Sequence, residues 1–306
     1  MKDSNLKMGF SEWSLLLFLA LLWGSSFLLM KVAVQELPVF TVVLGRVGIA
    51  ALVMTVYVFA KGLAMPTSFK EWGQLFLLGF LRAGLPISLF VWAGTQIDSS
   101  VSGILNSTTP LFTVLVAHFL TQDEKLTSNK LLGIIAGMVG VVFLIGPNAL
   151  QGLGNNVLGQ MAVLGATLSY GFAGVYGRRF KHMPVAVSTA GLLIGSTLMI
   201  LPIALFLDQP WLLRPSLIAT GSVVALAVFN TGIAFMVWLT LVLKVGATNT
   251  SQVTIIIPVV ALILGFIVLQ EAIEWNAVVG LGFILLGLAI SQNRLKLNFA
   301  TLAGTN

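Results

Sequence analysis

Cysteine is absent from this chain, which removes disulfides, thiolate nucleophiles and cysteine metal sites from consideration. Histidine occurs twice, as His118 and His182, and neither has a second histidine or a carboxylate at ligand spacing, so no metal is expected. Charged residues make up 8% of the 306, against roughly 25% in a water-soluble domain. No nucleotide-cradling P-loop is present, which leaves direct ATP drive without support. Paired acids, or a nucleophile beside its base, are missing at depth in the apolar runs, so an enzyme is not expected and no cofactor is implied. No acidic residue sits at the centre of a run, which argues against proton coupling through a buried carboxylate.

What remains is apolar. The chain is 58% hydrophobic with a mean hydropathy of +1.02, so lipid is its main solvent. At about 20 residues per membrane-crossing helix, ten runs are expected: 13–33, 39–60, 72–92, 100–120, 131–146, 157–177, 185–207, 216–240, 248–269 and 275–292. The connections between them are too short to fold alone. The first run is too long for a cleaved signal peptide, holds Trp23 near its centre and lacks a small-residue cleavage site.

Lys and Arg set the orientation. With ten spans and both termini in the cytoplasm, 12 basic residues fall on the cytoplasmic side, while Lys31 and Arg214 alone fall outside and Arg46 and Arg82 lie within spans. The positive-inside rule selects that arrangement. The pI near 9.8 then reflects a cytoplasmic fringe facing anionic lipid; the bases are dispersed, and no nucleic-acid partner is expected.

The second half repeats the first. Pro110 and Pro258 lie 148 residues apart, and Gly24 and Gly171, Lys31 and Arg178, Glu124 and Glu271, Gly133 and Gly280, and Gly140 and Gly287 each lie 147 apart. Five spans per half is an odd number, so the copies at 13–146 and 157–292 face opposite ways. Such inverted repeats recur in secondary transporters, which place one site near the midplane between the halves.

The residues carrying this repeat also resemble a known family. Trp23-Gly24-Ser25-Ser26-Phe27 followed by Lys31, Pro38 and Arg46, and the twice-occurring series of proline, glutamate and two glycines, are similar to the drug/metabolite transporter superfamily, EamA type. The second copy departs from it, opening on Tyr170-Gly171 and carrying Leu192 and Leu193 where a counterpart of Arg46 would fall. The resemblance implies an all-α polytopic membrane protein, with two inverted five-helix halves around a central cavity. It also implies export of small organic metabolites such as amino acids or amphipathic drugs, and a bacterial inner-membrane location. A nucleotide-sugar exchanger is the alternative carrier, and a channel or membrane-embedded enzyme is the alternative class.

Arg82 is the sharpest candidate for substrate binding. Ten residues after Trp72 it is about 15 Å deep, the centre of a roughly 30 Å core. It either receives a substrate carboxylate or locks helix packing through carbonyls or an aromatic ring. Its counterpart 148 residues on is Asn230. Pro110 and Pro258, as hinges, each free the carbonyl four residues earlier, on Asn106 and Thr254. Either those helices line the cavity, or nearby hydroxyls satisfy ordinary kinks. Trp23 and Tyr170 are mid-span aromatics that either stack on cargo or fill helix crossings, with Trp238 a weaker companion. Arg46 is expected to serve structure, Lys31 to snorkel, and Glu124 and Glu271 to cap a helix or pair with a base. His118 is expected to be structural. Gly133 and Gly137 have the small-residue spacing of close helix packing, which does not define an oligomeric state.

Overall fold

The computed structural model describes residues 9–122, 126–145, 155–250 and 253–291, and the regular structure among them is helical. In chain order the stretches are α1 (Phe10–Ala33), α2 (Val39–Ala60), α3 (Phe69–Ala93), α4 (Ser99–Leu120), α5 (Ser128–Ile145), α6 (Asn155–Gly177), α7 (Val185–Asp208), α8 (from Leu217 to Thr250), α9 (Val253–Leu269) and α10 (Trp275–Ser291). Seven of them are long and apolar enough to cross a membrane, while α5, α9 and α10 are shorter apolar helices. The largest departure from the expected boundaries is at 241–247. There α8 continues as helix to Thr250, because no proline interrupts it, and α9 starts at Val253 rather than 248.

Apolar side chains face both inward and outward. Leu16, Leu19, Val43, Leu75 and Leu193 are buried where helices meet, whereas Leu52, Val56, Phe59, Val142, Phe266 and Ile267 are exposed around the circumference. Water would not tolerate so large an apolar surface, and acyl chains do.

Contacts between the helices come in matched sets. α1 packs on α9 and α8, and α6 packs on α4 and α3; α3 packs on α7, and α8 on α2. Gly24 abuts Ile257 and Val260 beside Pro258, and Gly171 abuts Phe112 and Thr113 just after Pro110. α5 and α10 meet with Gly133 against Gly287 and Gly140 against Gly280, so residue numbers rise along one helix as they fall along the other. The pair is antiparallel and close enough that backbone touches backbone.

Three described helices carry a π-helical turn, α7 at Ala204–Asp208 near its end and two others at equivalent places. α3 contains a π-helical turn at Phe80–Gly84, and α8 contains one at Val228–Ile233. Each extra-wide turn frees backbone carbonyls that need another donor. Ser169 Oγ of α6 donates to Leu81 O at 2.7 Å, and Thr231 Oγ1 donates to Leu226 O at 3.0 Å. In α4 the chain breaks at Ser107–Thr108, so that Pro110 falls in the first turn of the segment Thr109–Leu120. The carbonyl of Asn106 is taken by Thr109 Oγ1 at 2.7 Å. The freed carbonyl is thus met by a nearby hydroxyl. Pro258, by contrast, stays inside a continuous α9.

Distant carboxylates cap the helices that start at one end of the bundle. Asp208 accepts from Thr41 N at 2.6 Å, at the start of α2. Glu271 accepts from Ser99 N at 2.7 Å and Ser100 N at 3.0 Å, at the start of α4. Glu36 accepts from Ser216 N and Oγ, both at 2.7 Å, before α8. Each places a negative charge on the positive end of a helix. Glu271 therefore has the expected capping role; Glu124 lies outside the described residues. Lys31, near the end of α1, has partners at that same end of the bundle. It donates to Ile97 O at 2.7 Å and lies 3.9 Å from Asp98, because the α3–α4 turn comes within its reach.

The Ser216 hydrogen bonds hold the Glu36 carboxyl below its ordinary value. The stability they confer is present above the ordinary carboxylate range and is lost as pH falls through the lowered value. Asp98, raised chiefly by burial and then by the nearby Glu271 charge, works with the opposite sign. Thermal unfolding of wild type and Glu36→Gln at pH 7 and at about pH 3 should show their gap in melting temperature shrinking on acidification. A gap independent of pH would refute this assignment.

Candidate functional site

The widened turns of α3 and α8 bring Arg82 and Asn230 to the same place. Between them lies a cavity of about 190 Å³, bounded by α1, α2, α3, α4, α6, α7, α8 and α9. Six of the seven expected cargo-contacting residues line it: Arg82, Asn230, Trp23, Tyr170, Asn106 and Thr254. Trp238 is not among the lining residues; it stands edge-on to Phe235, which is, with ring centroids 6.5 Å apart. Neither Pro110 nor Pro258 lines the wall itself, although Thr109 and Ile257 beside them do.

Arg82 lies over two rings, with its guanidinium carbon 5.2 Å from the Tyr170 centroid and 5.9 Å from that of Phe235. Stacking uses the face of the guanidinium and leaves its in-plane N–H donors available. Tyr170 stacks in turn on Phe90 at 5.9 Å, and Trp23 meets Phe235 edge-on at 6.4 Å. Asn230 is buried, and its amide nitrogen is committed to α1, donating to Leu22 O and, at 3.0 Å, to Ser25 Oγ. Asn230 thus ties α8 to the Trp-Gly-Ser-Ser segment.

Arg46, expected to serve structure, also lines the cavity. Its Nε donates to Thr231 Oγ1 at 3.3 Å and its Nη1 reaches Met30 Sδ at 3.3 Å. Sequence reasoning missed Ser26, Thr231 and Phe235. Ser26 stood within the quoted segment, but nothing in its spacing showed which of two adjacent serines faces inward. The histidines are elsewhere: His118 Nδ1 accepts from Leu126 N at 3.2 Å, and His182 lies 3.8 Å from Glu71.

A second cavity, between α2, α7 and α8, opens toward the end opposite the carboxylate caps and is bordered by Tyr57, Thr189, Met236 and Thr240. Phe235 borders both cavities.

Fold and cavity together define a polytopic α-helical membrane protein with a central cavity whose largely apolar wall carries two arginines and a few polar groups. The chain belongs to the EamA-like transporter family, whose model matches residues 11–146 and again 157–292. It is thus a membrane transporter of the drug/metabolite superfamily. It is 27% identical over 264 residues to the uncharacterized transporter YoaV of Bacillus subtilis (strain 168), covering 85% of this chain and 89% of that one. An uncharacterized transporter of Archaeoglobus fulgidus is also 27% identical, covering 91% of this chain and 98% of the relative. The uncharacterized inner membrane transporter YedA of Escherichia coli (strain K12) is 24% identical, covering 85% and 84%. A solved crystal structure, 20% identical, superposes with a TM-score of 0.67 over 94% of this chain and 99% of that one, a likeness of fold alone.

Proposed function

We propose that this protein is a secondary transporter that exports small carboxylate-bearing metabolites by alternating access. The observation that carries the reading is Arg82: a guanidinium mid-helix, over the rings of Tyr170 and Phe235 with its donor edge unspent, lining a central cavity. Bidentate pairing with a carboxylate is what that edge fits. Amphipathic cations fit poorly, since the described lining contains two arginines and no Asp or Glu.

In this reading there are ten spans in two inverted halves, 13–146 and 157–292, with both termini cytoplasmic in a bacterial inner membrane. The matched helix contacts and the antiparallel α5–α10 crossing support it. So does the name of the inner membrane relative. The carboxylate caps of Glu36, Asp208 and Glu271 close the outer end, and the cleft beyond Phe235 is the inner approach. Trp23, Tyr170, Asn106, Asn230 and Thr254 contribute to cargo contact, and the proline-bearing α4 and α9 flex as the halves rock.

Reconstitution into liposomes tests it. The expected result is saturable flux of a labelled carboxylate solute, accelerated by unlabelled solute on the opposite side. Flux that rises linearly without saturation, with no such acceleration, would identify a channel and end the carrier reading.

A further inference from the structure

Arg46 and Arg82 both line the central cavity, and no Asp or Glu does so among the described residues. Lys31, His182 and Lys244 form ion pairs away from it. Among the described residues the chamber therefore holds two guanidinium groups and no facing carboxylate, an arrangement costly in an apolar interior. Arg82 spends its face on rings, and Arg46 spends Nε on Thr231 and one amino group on Met30, so both retain donors. A third group points the same way. Ser26, 5% exposed and lining the cavity, has a buried hydroxyl oxygen with no hydrogen-bond partner. A buried hydroxyl left unpaired is unfavourable unless something arrives to pair with it.

We propose that the cavity is built for a small organic dianion, a short dicarboxylate or a phosphate monoester, with one charge met by Arg82, the other by Arg46, and a further hydrogen bond from Ser26. This rests on the carrier reading above and specifies its cargo. A monoanion leaves one guanidinium uncompensated. A zwitterion brings an ammonium into a chamber that offers it no carboxylate. A dianion neutralises the two guanidinium charges, so the occupied chamber carries no net charge while it is closed to both sides.

The test uses the purified full chain in detergent, with thermal shift and tryptophan fluorescence reading the binding of succinate and glycerol phosphate. Succinate monomethyl ester, alanine and ethylammonium serve as comparisons. Both dianions should bind at least about tenfold tighter than the monoester, the worth of one charge-assisted hydrogen bond. Arg46→Gln should erase that preference while keeping affinity for the monoester. If Arg46→Gln does not fold, Ser26→Ala should weaken dianion binding several-fold, and the wild-type preference itself still decides. Equal affinity for succinate and its monoester, or no binding of either dianion, overturns the proposal. Liposome flux separates the two readings. Dianion preference without flux would remove the carrier reading and keep this one. Saturable flux of a neutral or cationic solute, with no dianion preference, would do the reverse.

Discussion

Arg82→Ala is expected to reduce transport of a carboxylate solute by roughly 100-fold, in line with about 2–5 kcal/mol for truncating one partner of a buried charge pair. The loss has two origins. The anion forfeits a bidentate partner, and the rings of Tyr170 and Phe235, which stack on the guanidinium at 5.2 and 5.9 Å, lose that group. Arg82→Lys should recover only part of the activity, because an ammonium restores charge but neither the planar fork nor the stack. Tyr170→Phe should cost far less, since the ring face is kept. Initial rates in proteoliposomes, normalised to folded protein, measure all three. Undiminished carboxylate transport by folded Arg82→Ala would make this arginine a packing element.

The second large effect concerns folding. At Gly133, Gly140, Gly280 and Gly287 an added Cβ would run into the backbone of the facing helix. Backbone cannot rotate away as a side chain can, so α5 and α10 must separate along their length. Gly140→Leu is expected to destabilise by at least about 2–3 kcal/mol, the upper range for overpacking, and to lower the yield of folded protein sharply. Gly282 lies on the same helix as Gly280 with nothing within 4 Å of an added Cβ, so Gly282→Leu is the matched control and should be nearly silent. Thermal unfolding in detergent compares them. Equal behaviour of the two variants would mean that the α5–α10 contact does not limit stability.

These glycines show what could be read in advance. Their 147-residue offset was visible in the sequence, and so was the depth of Arg82, because both depend only on counting along the chain. That Gly133 faces Gly287 rather than its own counterpart Gly280 could not be counted; it follows from two helices running in opposite directions. The kink at Pro110 was legible from proline chemistry. Its satisfaction by Thr109 rather than by a solute depended on a side-chain rotamer.

Arg46 shows the same divide at the cavity. By depth it is an ambiguous arginine in α2, and only the approach of α8, bringing Thr231 within 3.3 Å, turns it into the wall beside Arg82. Trp238, toward the inner end of α8, was the weaker companion of the mid-span aromatics; it stands edge-on to Phe235 and is not among the lining residues.

By itself the sequence determined the solvent this chain lives in, the repeat, and the family, since hydropathy and spacing are properties of a one-dimensional string. Tertiary structure alone decided which faces converge. The π turns at Phe80–Gly84 and Val228–Ile233 rotate α3 and α8 off the regular helical phase, and that rotation helps set which side chains look into the cavity. Counting along the chain named Arg82, Asn230, Trp23, Tyr170, Asn106 and Thr254, but Arg46, Ser26, Thr231 and Phe235 joined them only once the helices had been brought together, because a helix's depth does not say which of its faces meets a neighbour.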